Sequence, residues 1–94
     1  MVEARQQDYT MEAHLYVSTW VTLDGRVRHE LLADGHYTER NGQSDTLSQG
    51  RYTIEDDHIT YVDDTGVVSE GLFINGVLHR NGMYLYVDEY ISYY

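Results

Sequence analysis

The chain has no cysteine, no proline and no lysine. Without cysteine, it can form neither a disulfide bond nor a thiolate metal site. Without lysine, it can carry out no Schiff-base chemistry and contains no P-loop lysine for phosphate binding. Without proline, no residue blocks the hydrogen-bond ladder of a β-strand. These absences leave a small chain whose strands can run uninterrupted.

Positive charge is also scarce. Six basic residues, all arginine, face 16 acidic residues, and the formal net charge is -10. An acidic chain repels phosphate backbones and anionic lipid surfaces, so we expect neither a nucleic-acid partner nor a membrane partner. No apolar run approaches the roughly 20 residues of a membrane helix, and the first residues lack a signal-peptide core. A cytoplasmic location is therefore expected.

Turn signals recur throughout the chain. Asp-Gly and Asn-Gly pairs tolerate the positive φ angles of tight hairpins, and they separate short segments rich in Tyr, Val, Ile and Thr. The five pairs are Asp24-Gly25, Asp34-Gly35, Asn41-Gly42, Asn75-Gly76 and Asn81-Gly82. This pattern predicts an all-β fold, an up-and-down antiparallel β-barrel of about eight strands.

The predicted organisation is one domain, as expected for 94 residues. Residues 1–13 are polar without alternation and are interpreted as a flexible N-terminal arm, followed by a single β-barrel domain over residues 14–94. The predicted strands are 16–22, 26–32, 36–40, 47–54, 58–62, 67–74, 77–80 and 83–87. Gly50 and Gly71 fall inside strands, where an isolated glycine is typical of a bulge, a bend or a close approach.

Alternation along the second strand assigns its faces. Val27, His29 and Leu31 form the more apolar set and are predicted to point into the barrel, which leaves Arg28 and Glu30 outside. A register error of one residue would reverse the assignment and make Arg28 an interior anchor for an anionic ligand. The same reasoning predicts further inward residues: Tyr16, Ser18, Trp20, Tyr37, Gly50, Tyr52, Ile54, Ile59, Tyr61 and Asp63.

Several stretches resemble a known family. Residues 20–32, 34–37, 50–52 and 58–66, with Leu78-His79 and Gly82-Met83, are similar to a small uncharacterised family of bacterial proteins with a streptavidin-like, lipocalin-like up-and-down β-barrel. The resemblance covers about residues 16–87. It implies the barrel fold and a ligand cavity, and it supplies no catalytic residues.

The candidate site is one interior cavity. His29 and Asp63 are its candidate acid–base pair, while His79 would orient polar groups and Met83 would add apolar contact. The aromatic lining is Trp20, Tyr37, Tyr52 and Tyr61. Structural interpretations compete with this one: a hydrogen-bonded core histidine, an aspartate that caps a turn, and tyrosines that fill the core. Buried tyrosine hydroxyls need partners, which favours a partly polar interior.

Three functions remain open. The first is binding of a small hydrophobic or aromatic metabolite. The second is a cofactor-independent acid–base enzyme (an isomerase, dehydratase or cyclase) in the same pocket. The third is a protein-interaction or homodimer module formed by Tyr84, Tyr86, Tyr90, Tyr93 and Tyr94. No cofactor motif is present, and the histidine spacing matches no metal site, so we expect neither a cofactor nor a metal.

Overall fold

The chain forms an antiparallel β-barrel. A computed structural model describes residues 15–42 and 46–88. Its strands are β1 (Ser18–Val21), β2 (Val27–Leu31), β3 (His36–Asn41), β4 (Thr46–Glu55), β5 (His58–Asp63), β6 (Val68–Ile74), β7 (Val77–Arg80) and β8 (Met83–Val87). Each strand pairs with the next, and β8 pairs with β1, which closes the barrel in up-and-down order. The predicted fold class is therefore confirmed.

Two hairpins show why the turn signals were informative. At Asn75-Gly76 the φ angles are 51° and 81°, and at Asn81-Gly82 they are 52° and 74°. Positive φ at both central residues is the signature of a type I′ turn, whose twist matches that of the flanking strands. The two turns join β6 to β7 and β7 to β8 without any longer loop.

The alternation of side chains builds the core. Along β2, Val27, His29 and Leu31 are buried, while Glu30 is exposed. The inward side chains of the other strands meet this row. The buried hydrophobic residues are Trp20, Val27, Leu31, Tyr37, Tyr52, Ile54, Ile59, Tyr61, Phe73, Leu78 and Leu85. Burial of these large groups is the main source of the barrel's stability.

Part of the interior is apolar and aromatic. Tyr16 stacks on Phe73 with ring centroids 3.8 Å apart, and Trp20 lies against both rings. The Trp20 indole N–H donates to the backbone oxygen of Tyr16 at 3.0 Å, which satisfies its one polar atom. Tyr16 is half-buried and precedes β1, which begins later than the sequence predicted.

Some predictions concern residues that the structure does not describe. The N-terminal arm, residues 1–13, and the tyrosines at positions 90, 93 and 94 lie outside the described ranges. Within residues 15–42 and 46–88, no helix has the length and apolar character needed to cross a membrane.

Candidate functional site

A polar cluster lies inside the barrel. It combines His29 of β2 with Glu39, which lies directly opposite it on β3, and with Arg80 of β7, which closure of the barrel brings to the same place. Arg80 Nη1 donates to Glu39 Oε1 at 2.6 Å, and Arg80 Nη2 donates to Ser69 Oγ at 3.1 Å. His29 Nδ1 lies 3.5 Å from the same Glu39 oxygen, at the outer limit of a hydrogen bond.

The cluster reaches solvent through Glu39. The Glu39 side chain is 19% exposed and that of Arg80 is 8% exposed, whereas His29 is fully buried. Arg80 and Glu39 lie near the end of the barrel where β3 and β7 finish. Glu39 is therefore the member of the cluster that is most accessible to solvent.

Aromatic rings surround the imidazole. His29 stacks on Tyr37 with ring centroids 5.4 Å apart and meets the edge of Tyr61 at 4.8 Å. The rings of Tyr37 and Tyr61 are 5.0 Å apart, so all three are in mutual contact. These contacts fix the orientation of His29, because a ring packed on two sides cannot rotate freely.

Several buried polar atoms in this cluster have no hydrogen-bond partner among the described residues. They are Nε2 of His29, the hydroxyl of Tyr61 and Nε of Arg80, while Nδ1 of His29 has only its long contact of 3.5 Å with Glu39. Buried polar atoms are normally paired, and leaving one unpaired costs about 1–3 kcal/mol. By contrast, the hydroxyl of Tyr52 donates to the backbone oxygen of Leu32 at 2.6 Å.

The surroundings adjust the proton affinities of the cluster. Burial lowers the pKa of His29, so its neutral form is favoured, and the nearby Glu39 carboxylate opposes this effect only in part. The contact with His29 lowers the pKa of Glu39, and the Arg80 guanidinium reinforces the shift. Burial raises the pKa of Tyr61 and of Tyr37, so both phenols stay protonated.

Glu39 and His29 together resemble the carboxylate–histidine pair of an acid–base site, in which the carboxylate orients the imidazole. Glu39, as a carboxylate, only accepts hydrogen bonds and therefore favours the His29 tautomer with its proton on Nδ1. Nε2 is then available as a hydrogen-bond or proton acceptor. Among the described residues, no group of three His, Cys, Asp or Glu side chains could hold a metal ion.

Asp63 is not the partner of His29. Its Oδ1 accepts hydrogen bonds from the Thr65 hydroxyl at 2.6 Å and from the backbone N–H groups of Thr65 and Val67 at 2.9 Å each. These bonds lower the pKa of Asp63, with that from the Thr65 hydroxyl first among them. The structural interpretation applies here, because Asp63 caps the turn between β5 and β6.

His79, which was predicted to line the interior pocket, does not point into the barrel. On β7, Leu78 and Arg80 are buried, so His79 points to the outer face, where its ring meets that of Tyr84 at 4.8 Å. The uncertain phase of this short strand explains the error. The other predicted lining residues with ring side chains, Trp20, Tyr37, Tyr52 and Tyr61, are all buried in the core.

Met83 and Arg28 take different positions. Met83 is partly buried and packs against the core, as apolar contact requires. Arg28 remains on the outer wall, where its Nη2 lies 3.0 Å from Asp88 Oδ2. Arg28 therefore does not take the alternative position inside the barrel, where it would have been an anchor for an anionic ligand.

The sequence reasoning missed Glu39 and Arg80. Glu39 follows the inward Tyr37 by two residues, so alternation alone could have placed it inside. Arg80 follows Leu78 by two residues and shares its face. However, β7 has only four residues, and the opposite face also carries one aliphatic residue, Val77, so alternation does not show which face is buried. The resulting ambiguity hid the only arginine that the structure buries among the described residues.

Comparisons with known proteins agree with this fold. A family model described as "Agrobacterium tumefaciens protein Atu4866" matches residues 13–87. The solution structure of the protein Atu4866 from Agrobacterium tumefaciens is similar, with 46% sequence identity, a TM-score of 0.66, and coverage of 78% of this chain and 94% of that one. No curated protein matches the chain. The chain belongs to the family of the Agrobacterium tumefaciens protein Atu4866.

Proposed function

We propose that this chain binds a small organic molecule at the polar end of its barrel, through the cluster of His29, Glu39, Tyr61 and Arg80. One observation carries the proposal: the buried polar atoms of His29, Tyr61 and Arg80 that lack partners among the described residues. A ligand that supplies the missing hydrogen bonds offsets the desolvation penalty of these buried groups, and this gain adds to the free energy of binding. We also propose the cytoplasm as the location, as the sequence predicted.

The chemistry of the cluster favours an uncharged ligand. Glu39 and Arg80 already form an ion pair at 2.6 Å, so the cluster offers little net charge for a ligand to balance. Arg80 Nε–H is a donor, His29 Nε2 is an acceptor, and the Tyr61 hydroxyl can act as either. An aromatic ring bearing a donor and an acceptor, such as a phenol with a carbonyl group or a small heterocycle, matches these groups and the surrounding tyrosines.

Catalysis is a second candidate for the same cluster. Its support is the contact of 3.5 Å between His29 and Glu39, together with the lowered pKa of His29. A neutral imidazole held by a carboxylate is suited to proton transfer, as in isomerisation, dehydration or cyclisation without a cofactor. Turnover of a ligand, rather than binding alone, would favour this candidate.

Partner binding is a third candidate. Tyr84 is 56% exposed and Tyr86 is half-buried on the outer face of β8, while the other tyrosines of the predicted interface lie outside the described residues. Exposed aromatic side chains are common at protein interfaces. This candidate requires a mass that depends on protein concentration, which sedimentation would reveal.

The test is a thermal-shift screen of neutral aromatic metabolites, followed by ¹H–¹⁵N NMR titration of each hit. A ligand that binds only the folded state raises the melting temperature by mass action. We expect hits to shift the signals of His29, Tyr61 and Arg80. Glu39→Gln should weaken the binding of these ligands about tenfold, because it removes the carboxylate that orients Arg80 and His29.

Glu55→Gln is the matched control, because Glu55 is exposed on the outer face of β4. It should leave ligand affinity within about twofold of the parent. Hits whose NMR shifts map elsewhere, or an equal loss of affinity in both variants, would contradict the proposal. So would a full screen without a single stabilising compound.

A further inference from the structure

We propose that the open edge of β8 is a docking site for a short, uncharged, extended peptide, which adds to the sheet beside Tyr84. The site is a groove of about 300 Å³ between β8 and the turn that joins β1 to β2. Its lining residues are Thr22, Leu23, Asp24, Met83, Tyr84 and Tyr86. The inference rests on the partner-binding candidate above and names what that candidate leaves open, the chemistry of the partner. The interior cluster contributes no residue to the groove.

The seam between β1 and β8 is short. In the described chain, these strands pair only at Trp20–Val87 and Val21–Tyr86, whereas β1 and β2 pair along the whole of β1. Because β1 ends at Val21 and the chain then turns toward β2, the first half of β8 has no strand beside it on this side. The seam is therefore closed at one end and leaves a gap of about three residues at the other.

The backbone groups of Tyr84 point into this gap. In an antiparallel ladder, the peptide groups of alternate residues point to the same side. The backbone N–H of Asp88 donates to the oxygen of Thr19 on β1 at 2.8 Å. The groups of Tyr86 and Tyr84 therefore point to the β1 side as well. Tyr86 pairs with Val21, but no residue of the described ranges pairs with Tyr84 on this side.

One unpaired N–H and one unpaired C=O on the same residue match an extended peptide. A peptide residue beside Tyr84 accepts from its N–H and donates to its C=O, as in the addition of a strand to a sheet edge. Such recognition depends on the backbone, so it needs no charged group in the groove.

Apolar side chains flank the gap. Leu23 is 87% exposed in the turn between β1 and β2, and Tyr84 is 56% exposed on β8. Met83 and Tyr86 are partly buried and line the same groove. An apolar side chain of the peptide would cover Leu23 and the ring of Tyr84, and the loss of this exposed apolar surface favours docking.

Charge takes little part in the recognition. Asp24 is the charged member of the lining, and its Oδ1 accepts from the Thr22 hydroxyl at 2.7 Å and from the backbone N–H of Arg26 at 3.0 Å. Its carboxylate is therefore engaged by its own turn. The formal net charge of -10 repels acidic peptides, which favours an uncharged sequence. The short gap fits a peptide better than a whole strand of a second barrel.

Hydrogen exchange and NMR titration of the full chain test the site. In the free protein, the N–H of Tyr84 should exchange with solvent at least about tenfold faster than that of Tyr86, which the ladder to β1 protects. The probe is the soluble capped peptide acetyl-Thr-Leu-Thr-amide. We expect saturable binding with a Kd of about 1 mM and shifts centred on Tyr84 and Leu23. At saturation, exchange of the Tyr84 N–H should slow at least about tenfold.

A matched probe and matched variants sharpen the test. The same peptide N-methylated at its leucine keeps the side chains but lacks the donor for the Tyr84 oxygen, so it should bind at least about tenfold more weakly. Leu23→Ser should weaken binding of the unmethylated peptide about fivefold. Leu47→Ser, at an exposed leucine of β4 outside the groove, should change it less than about twofold. Glu39→Gln, in the interior cluster, should leave it unchanged.

Several results would overturn the inference. They are equal protection of the Tyr84 and Tyr86 N–H groups in the free protein, no saturable shift with the peptide, or equal affinity for the N-methylated peptide. Equal effects of Leu23→Ser and Leu47→Ser would also do so, as would weaker peptide binding in Glu39→Gln. A mass that rises with protein concentration, without peptide binding, would support the partner-binding candidate and overturn the peptide site.

Discussion

The guanidinium of Arg80 lies over the ring of Tyr61, with its carbon 4.5 Å from the ring centroid. This cation–π contact uses the face of the ring and makes no use of the phenol hydroxyl. The hydroxyl is buried and has no hydrogen-bond partner among the described residues. The ring of Tyr61 and its hydroxyl therefore have separate roles, and substitution can separate them.

Tyr61→Phe keeps the ring and removes the unpartnered hydroxyl. We expect the free energy of unfolding to rise by up to about 1 kcal/mol, because the cost of burying an unsatisfied polar group disappears. Binding of the proposed interior ligand should weaken at the same time, which is the trade-off expected at a functional site. Urea unfolding and ligand titration measure the two effects.

Tyr52→Phe is the matched control for this experiment. Its hydroxyl donates to the half-buried backbone oxygen of Leu32 at 2.6 Å, so its removal breaks a short hydrogen bond and leaves that oxygen with only the N–H of Gly35 at 3.1 Å. The expected loss is about 1–2 kcal/mol, opposite in sign to the effect at Tyr61. Equal losses in the two variants would contradict the interpretation and would indicate that the Tyr61 hydroxyl is already satisfied.

Gly50 marks a close approach of two strands. A Cβ at this position would collide with the backbone oxygen of Val62 and lie 2.6 Å from Cα of Asp63. Because only backbone atoms stand in the way, β5 would have to move. We expect Gly50→Ala to lower the free energy of unfolding by at least about 3 kcal/mol or to prevent folding.

Gly71→Ala is expected to destabilise the barrel less than Gly50→Ala. Its added Cβ would lie 3.1 Å from the backbone oxygen of His79 and from methyl groups of Ile59 and Leu78, so small shifts of side chains relieve part of the overlap. A loss of about 1–2 kcal/mol is expected. Melting temperatures of both variants test the order, and a milder effect at Gly50 than at Gly71 would refute it.

The sequence predicted the fold better than the site, for a physical reason. Turn chemistry and alternation are local, so the hairpin at Asn75-Gly76 and the inward position of His29 follow from a few neighbouring residues. The pairing of Glu39 with Arg80 joins residues 41 positions apart and exists only after the barrel closes. Alternation predicts that Asp63 points into the barrel. However, β5 ends at this residue, and its carboxylate accepts hydrogen bonds from the backbone of the following turn instead.

Burial of His29 predicts loss of stability in weak acid. The pKa of His29 is lowered in the folded state, so below about pH 6.5 the unfolded chain binds a proton that the folded chain does not. Stability therefore falls as the pH drops through this window, by at most about 1.4 kcal/mol per pH unit for one group. Glu39, whose folded pKa is also lowered, adds a further loss below about pH 4.5.

Urea unfolding between about pH 4 and pH 8 measures this profile, and NMR titration of the His29 ring assigns it. The charged and titratable groups around the imidazole are Tyr37, Glu39, Tyr61 and Arg80, and among the histidines only His29 is buried in the described chain. His29→Phe should flatten the profile between about pH 5 and pH 6.5, whereas His79→Gln, on the outer face, should preserve it. If the His29 ring titrates at or above its ordinary pKa, or if His79→Gln flattens the profile instead, buried neutral His29 is not the source of the acid sensitivity.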